Sequence, residues 1–439
     1  NDTYLVELLF RRDGSYIFPE VGRYGNFPGI LVGWNIGNES WFNVEDISFL
    51  KLRASYGELG NDQVFYNGSL QEYAFLSTFG FGQYPIDGRV VETLYETVLP
   101  NPNFTWEVAR NTNIGLDTKL FNRLNISLEY FDNQRDRILI QQQGSTPASS
   151  GIGNLLPPTN FGSMTNAGME FNVSYEGGDS NYSDPNAFRY TIGVNGGYSK
   201  NTVEFIDEVS GAPEWQLQEG KPLGAYLLYE ADGVWYDEAE IAANTLDYSQ
   251  VTPELKPGDL KLVDYDGNGK IDADDMVRQE DSFTPRFQYG ITLDMSYKNF
   301  DLSVLFQGSQ GGVTSLFNGE FGDWGNYYKY QHDNRWSIDN PSRVHPRLAS
   351  RGDTWYTDGG YGNNTYNYGS TDYLRLKNLE LGYNLPDSIL GQGFISNFRL
   401  YASGLNLLTF TEFDMTDPEV ANRTYPLQKV WNLGLRVNF

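Results

Sequence analysis

Residues 287–297 read Phe287-Gln-Tyr-Gly-Ile-Thr-Leu-Asp-Met-Ser-Tyr297. Phe287, Tyr289, Ile291, Leu293, Met295 and Tyr297 fall on one side of an extended chain. Gln288, Gly290, Thr292, Asp294 and Ser296 fall on the other. Successive side chains of a strand point to opposite faces, so a period of two marks a strand with one face out of water. The pattern recurs from Trp431 to Phe439, where Trp431, Leu433, Leu435, Val437 and Phe439 oppose Asn432, Gly434, Arg436 and Asn438. It recurs again in Asn125–Phe131, with Ile126, Leu128 and Tyr130 facing away from Asn125, Ser127 and Glu129.

Working outward, about twelve strand candidates stand near 4–12, 24–34, 49–59, 106–119, 124–139, 164–176, 188–203, 285–297, 300–308, 372–384, 397–409 and 428–439. Two architectures bury one face of such strands. A β-sandwich puts the apolar face in a core, and a transmembrane barrel puts it in lipid with the polar face in the lumen. The joints decide. Those after the second, fourth, sixth, eighth and tenth strands are short, as in Leu120-Phe-Asn-Arg123 and Lys298-Asn299. Most of the others are long: 60–105, 140–163, 204–284, 309–371 and 410–427. Short joints on one side and long ones on the other is the asymmetry of an outer-membrane barrel, with periplasmic turns and extracellular loops. The expected fold is therefore all-β, a transmembrane antiparallel barrel in which residues 1–439 form one body. Tyr236–Asn244 is expected to form a short helix within one long loop. The chain opens inside a strand pattern at Tyr4–Arg12, which predicts a portion of something longer.

Composition narrows the functions. Asp plus Glu number 57 against 31 Lys plus Arg, a formal charge of -26. Nucleic acid is not an expected partner, because no basic field replaces phosphate counterions. With no Cys and two His, thiolate chemistry and His-rich metal sites are excluded. Aromatic residues reach 15 %, including 31 Tyr and 9 Trp, residues suited to strands and to membrane interfaces. No apolar run is long enough for a transmembrane helix. Carboxylate pairs such as Asp274-Asp275 and Glu238/Glu240 are too common in so acidic a chain to signal a glycosidase, and no Ser or His sits in a nucleophile elbow. No enzyme is expected.

One motif differs in kind. Asp264-Tyr-Asp-Gly-Asn-Gly-Lys-Ile-Asp-Ala-Asp-Asp275 resembles the calcium loop of an EF-hand, with Gly269 where that loop turns sharply. Asp264, Asp266, Asn268, Asp272 and Asp275, with the carbonyl of Lys270, form the candidate ligand set. The flanking helices of a sensor are missing: Pro257-Gly-Asp259 precedes the loop and an irregular stretch ending at Pro285 follows it. A structural Ca2+ that pins a loop is the expectation, set against a solvated turn built from residues that favour turns. The loop 309–371 is rich in aromatics, including Trp324, Tyr327, Tyr328, Trp336, Trp355 and Tyr356. Flat rings stack on sugars and peptide side chains, so these six are the candidate contacts to substrate or to a lid protein. Packing of the loop against itself is the alternative for each.

Several segments resemble the SusC/RagA branch of the TonB-dependent transporters of Bacteroidetes. These are Phe49-Leu-Lys-Leu-Arg-Ala-Ser-Tyr-Gly57 with the Gly60-Asn61 turn, Phe161–Phe171, Pro257-Gly-Asp-Leu-Lys261, Pro285–Gly290, Phe300–Val304, Tyr373–Tyr383, Leu400–Phe410 and the terminal Phe439. They stand in the family's order across almost the whole chain. The resemblance implies a barrel of about 22 strands around an N-terminal plug, of which this chain is the C-terminal portion. It implies outer-membrane import of oligosaccharides or peptides, a SusD-like surface lipoprotein as lid, and energy from a TonB complex. It also implies that Phe439 is read by the barrel-assembly machinery as well as closing the sheet. Two other readings stand beside this: a passive porin or adhesin complete in this chain, and a soluble β-rich protein binding glycan through its aromatic loops.

Overall fold

The computed structural model describes residues 2–439 except 64, 67–68, 71, 143, 180–186, 317–328, 350–352, 354–362, 391–393, 414–416 and 421–426. Twelve strands hydrogen-bond in one sheet in strict chain order. They are β1 (Tyr4–Gly14), β2 (Tyr24–Asn35), β3 (Ile47–Asn61), β4 (Glu107–Leu120), β5 (Leu124–Gln141) and β6 (Pro158–Gly178), then β7 (Arg189–Phe205), β8 (Phe287–Tyr297), β9 (Phe300–Gln310), β10 (Tyr373–Asn384), β11 (Asn397–Phe410) and β12 (Val430–Asn438). Every expected strand is present within a few residues of its expected span. The chain divides into two compact units, one built mainly on 1–171 and the other mainly on 172–198 and 224–439.

In the first unit the register sorts side chains into rows. Trp34, Leu52, Leu116 and Leu128 lie abreast on one face of β2–β5. One step along, Gly33, Arg53, Gly115 and Glu129 lie abreast on the other. A row of one polarity is what a sheet between two media requires, because slipping one residue would exchange the faces. On the polar face Arg53 pairs with Glu129 and, at 3.2 Å, with Asp117. Gly115 makes room for this: a Cβ there would overlap the Arg53 guanidinium. The turn between β4 and β5 places Phe121 and Asn122 at φ 52° and 55°, the left-handed pair of a tight hairpin. Where strands and joints meet, Ile17, Phe18, Phe27, Phe104, Trp106, Val108 and Leu139 form a buried cluster. The joint after β3, expected as loop over 60–105, carries a hairpin of its own, Thr78–Ile86 with Arg89–Val98.

In the second unit Leu302, Leu381, Ala402 and Leu433 form an apolar row across β9–β12, beside Asp301, Gly382, Tyr401 and Gly434 on the polar face. Arg399 pairs with Asp301 and with Glu380 at 2.7 Å on that polar face. The apolar face is bare: Leu433 is 89 % and Trp431 72 % exposed. An apolar surface of this extent suits lipid, not water. No helix among the described residues is long and apolar enough to cross a membrane, which says nothing about crossing by strands.

Candidate functional site

The second unit carries a lobe outside the sheet. Its frame is two short ribbons, Leu227–Tyr229 with Met276–Arg278 and Ala231–Val234 with Leu260–Leu262. Tyr229, Val234, Trp235, Tyr248, Val251, Leu260, Leu262, Ile271 and Ala349 close a hydrophobic core between them. The expected helix forms as Glu238–Ala242, with the Asp237 side chain accepting from the Glu240 amide at 2.9 Å. Ala349 comes from the joint 311–372, so two long loops share one core. An ion pair stitches them: Arg347 reaches Asp259 at 2.6 Å and Asp353 at 2.8 Å. Desolvation pushes the buried Asp259 carboxyl above its ordinary value, and Arg347 pulls it back.

The acidic loop hangs from this lobe by Ile271, which is fully buried. The Asp247 amide donates to the Gly269 carbonyl at 3.0 Å, and the Ile271 amide to the Asp247 carbonyl at 2.8 Å. These two bonds flank Lys270 and leave its carbonyl out of the ladder. Gly267 and Gly269 adopt φ 73° and 83°, the left-handed turns that let the loop fold on itself. Three of the six candidate ligands converge: carboxylate oxygens of Asp264, Asp266 and Asp275 lie within 4.8 Å of one another. Asp275 is held from behind, accepting from the Tyr265 amide at 2.7 Å and the Asp272 amide at 2.9 Å. Burial pushes its carboxyl up, against those backbone bonds. All five side chains also serve the local backbone: Asp264 accepts from the Asn268 and Gly269 amides at 3.1 and 2.9 Å, and Asp266 from the Asn268 amide at 2.9 Å. The Asn268 oxygen accepts from the Lys270 amide at 2.7 Å, and Asp272 caps the Asp274 amide at 2.9 Å. The sequence did not foretell the clamp on the outside of this loop. The Trp215 ring meets the Tyr265 ring at a tilt, centroids 5.2 Å apart, and its indole N–H donates to the Asp274 carbonyl at 2.8 Å.

Of the six aromatic candidates, Trp336 is described. It packs half-buried against the lobe core and donates its indole N–H to the Tyr236 carbonyl at 3.0 Å. Trp324, Tyr327, Tyr328, Trp355 and Tyr356 lie outside the described residues. In the same lobe His345 bonds the Tyr366 hydroxyl at 2.9 Å and meets the Tyr330 ring edge-on; burial lowers its pKa. Phe439 is exposed and rests against Phe394, ring centroids 5.1 Å apart.

The sheet, its one-sided polarity and its loops match a known family. Residues 10–407 fit the family described as TonB dependent receptor-like, beta-barrel. The chain belongs to this family. Among curated relatives, TonB-dependent receptor P3 of Formosa agariphila is 31 % identical over 99 % of this chain and 44 % of its own length. TonB-dependent receptor SusC of Bacteroides thetaiotaomicron is 27 % identical, again over 99 % of this chain and 42 % of its own. Among solved structures, a chain of the RagAB peptide importer in the open-open state superposes with a TM-score of 0.74 at 22 % identity. That match covers all of this chain and 45 % of the other, and it shows the fold. The chain thus spans less than half the length of the relatives it matches. As a TonB-dependent receptor barrel it resides in the outer membrane, with its apolar rows toward lipid and its polar rows toward the lumen. Its relatives are receptors, and the chain is a receptor component rather than an enzyme.

Proposed function

We propose that this chain is the C-terminal portion of the barrel of an energised importer of oligosaccharides or peptides. In this reading a SusD-like lipoprotein covers its outer loops and a TonB complex supplies the energy. The observation that carries the proposal is the division of labour in the fold. A membrane-type sheet has short turns on one side, while on the other the loops are long enough to build a lobe with its own core. Long, packed loops on a rigid barrel are where recognition is placed. The SusC and peptide-importer names of its relatives support import of large solutes, and they leave glycan and peptide both open.

Within this reading the 264–275 loop holds a Ca2+ that pins the lobe. The convergence of Asp264, Asp266 and Asp275 suits a hard cation, and the Lys270 carbonyl, which the ladder does not use, is the proposed backbone ligand. Asn268 and Asp272 would swing from their local bonds to complete the shell. The aromatic candidates Trp324, Tyr327, Tyr328, Trp355 and Tyr356, with the edge of Trp336, remain the proposed contacts to substrate or lid. Phe439 is the proposed assembly signal. The test is extraction of the native protein in mild detergent and the intact mass of every chain that co-purifies. A receptor about twice this length, as the curated relatives' lengths imply, with a lipidated partner is expected. A lone chain of the present length would favour a passive porin or adhesin instead.

A further inference from the structure

Strand β10 changes parity midway. Leu376 aligns with Phe306 and Leu408 on the lipid face, whereas two steps on Asn378 aligns with Leu305 and Leu405 on the lumen face. Lys377 has no partner in either register, and Leu379 returns to the lipid row opposite Val304. A bulge of this kind re-aims side chains. Just above it Arg375 stands in the lumen row between Gln307 and Thr409. Arg375 is a cation in a lumen, yet it is only 1 % exposed.

The cover is a turn of residues 417–420. Arg375 donates to Asp417 at 2.7 Å, to Glu419 at 2.6 Å and to the Thr409 hydroxyl at 3.1 Å. Lys377 donates to both Glu419 oxygens, at 2.6 and 2.8 Å. The turn is braced within itself, the Glu419 amide donating to the Asp417 carboxylate at 3.0 Å. Its approach is fixed where the Thr411 hydroxyl donates to the Asp372 carbonyl at 2.7 Å and Phe413 is buried. Two cations and two carboxylates cancel, with three of the contacts running from Arg375 and Lys377 to Glu419 and one from Arg375 to Asp417. Such a network holds one geometry, because removing a single partner strands the opposite charge. A loop merely resting on the sheet would not need it.

We propose that the turn of residues 417–420 is a strap clamped across the lumen face of β10, and that Arg375 and Lys377, through Asp417 and Glu419, set the width of solute that passes there. The width claim rests on the importer reading; the clamp does not. The test uses the full-length receptor in isolated outer membranes. Val420→Cys on the strap serves as the label, since the 439 residues here contain no cysteine, and the receptor without Val420→Cys gives the background rate to subtract. Asp417→Ala with Glu419→Ala removes both carboxylates from the strap alone, so the freed Arg375 is rehydrated and the sheet keeps its residues. Labelling by a polar maleimide should accelerate about tenfold or more, as a shifted two-state equilibrium requires. Glu419→Asp, which keeps the charge, should stay near the unmutated rate. In uptake assays with neutral solutes of rising size, the double variant should accept larger ones. Equal labelling rates would overturn the clamp. Faster labelling with an unchanged size limit would overturn its role in passage and leave only a brace. No uptake by the unmutated receptor would overturn the importer reading and the width claim together, while the labelling rates would still judge the clamp.

Discussion

Truncating Ile271 to Ala isolates the link between the acidic loop and the lobe. Ile271 is fully buried in the lobe core, and its amide anchors the loop to Asp247 at 2.8 Å. The change removes three carbons, at about 0.8 kcal/mol for each buried methylene. Residual cavity adds to that, giving about 3 kcal/mol in all. The loss falls on local opening of the lobe, because the core that Ile271 joins is built from the lobe's own residues, Tyr229 to Ile271 with Ala349. About 3 kcal/mol corresponds to roughly a hundredfold rise in the open population. Hydrogen exchange followed by mass spectrometry reads this directly. Peptides covering 228–278 should exchange roughly a hundredfold faster, and peptides from β8 and β9 should be unchanged. Acceleration of less than about threefold would refute a lobe held by this core. Equal acceleration across the sheet would refute a lobe that opens on its own.

Three further outcomes are expected. Gly269→Ala meets no neighbour within 4 Å but must hold φ 83°, so it should cost about 1 kcal/mol of loop strain; calcium titration should show binding weakened by roughly fivefold. His345 has its pKa lowered from 6.5 by burial beside Tyr366 and Tyr330. Its neutral form is therefore the folded one, its contribution is present above pH 6.5 and is lost as pH falls below it. Limited proteolysis of the lobe should be faster at acid pH, and His345→Gln should flatten that profile. Gly115→Ala forces the Arg53 guanidinium off Glu129 and should destabilise the folded barrel by about 2 kcal/mol, read as a lowered urea midpoint.

The strands were legible because each carries its own evidence. Alternation in Phe287–Tyr297 or Trp431–Phe439 needs no partner to be read, and a one-residue slip would put the wrong face in lipid. Even the bulge in β10 is written locally, in Leu374-Arg-Leu-Lys-Asn-Leu-Glu-Leu381, where the leucines change parity across Lys377-Asn378. Long-range pairings left no such mark. Nothing in the sequence joins Arg375 to Glu419, or Arg347 to Asp259, across such separations. The hairpin Thr78–Ile86 with Arg89–Val98 is hard to read from sequence because its glycines and short alternation blend into loop composition, although Asp87-Gly88 is a turn signal. At the acidic loop the spacing foretold the convergence of Asp264, Asp266 and Asp275. It did not foretell that all five side chains bond backbone amides, since loop oxygens serve turns as readily as ions. Trp336 shows the same limit for aromatics: its composition suggested a contact surface, and its position adds core packing.

The central claim, energised import through this barrel, is tested most directly by uptake in intact cells. Cells carrying the full-length receptor, and cells lacking it, are given fluorescent neutral oligosaccharides and peptides with and without a protonophore. Receptor-dependent accumulation that the protonophore abolishes is the predicted result. Receptor-dependent entry that persists without the proton gradient would contradict the account and identify a passive pore.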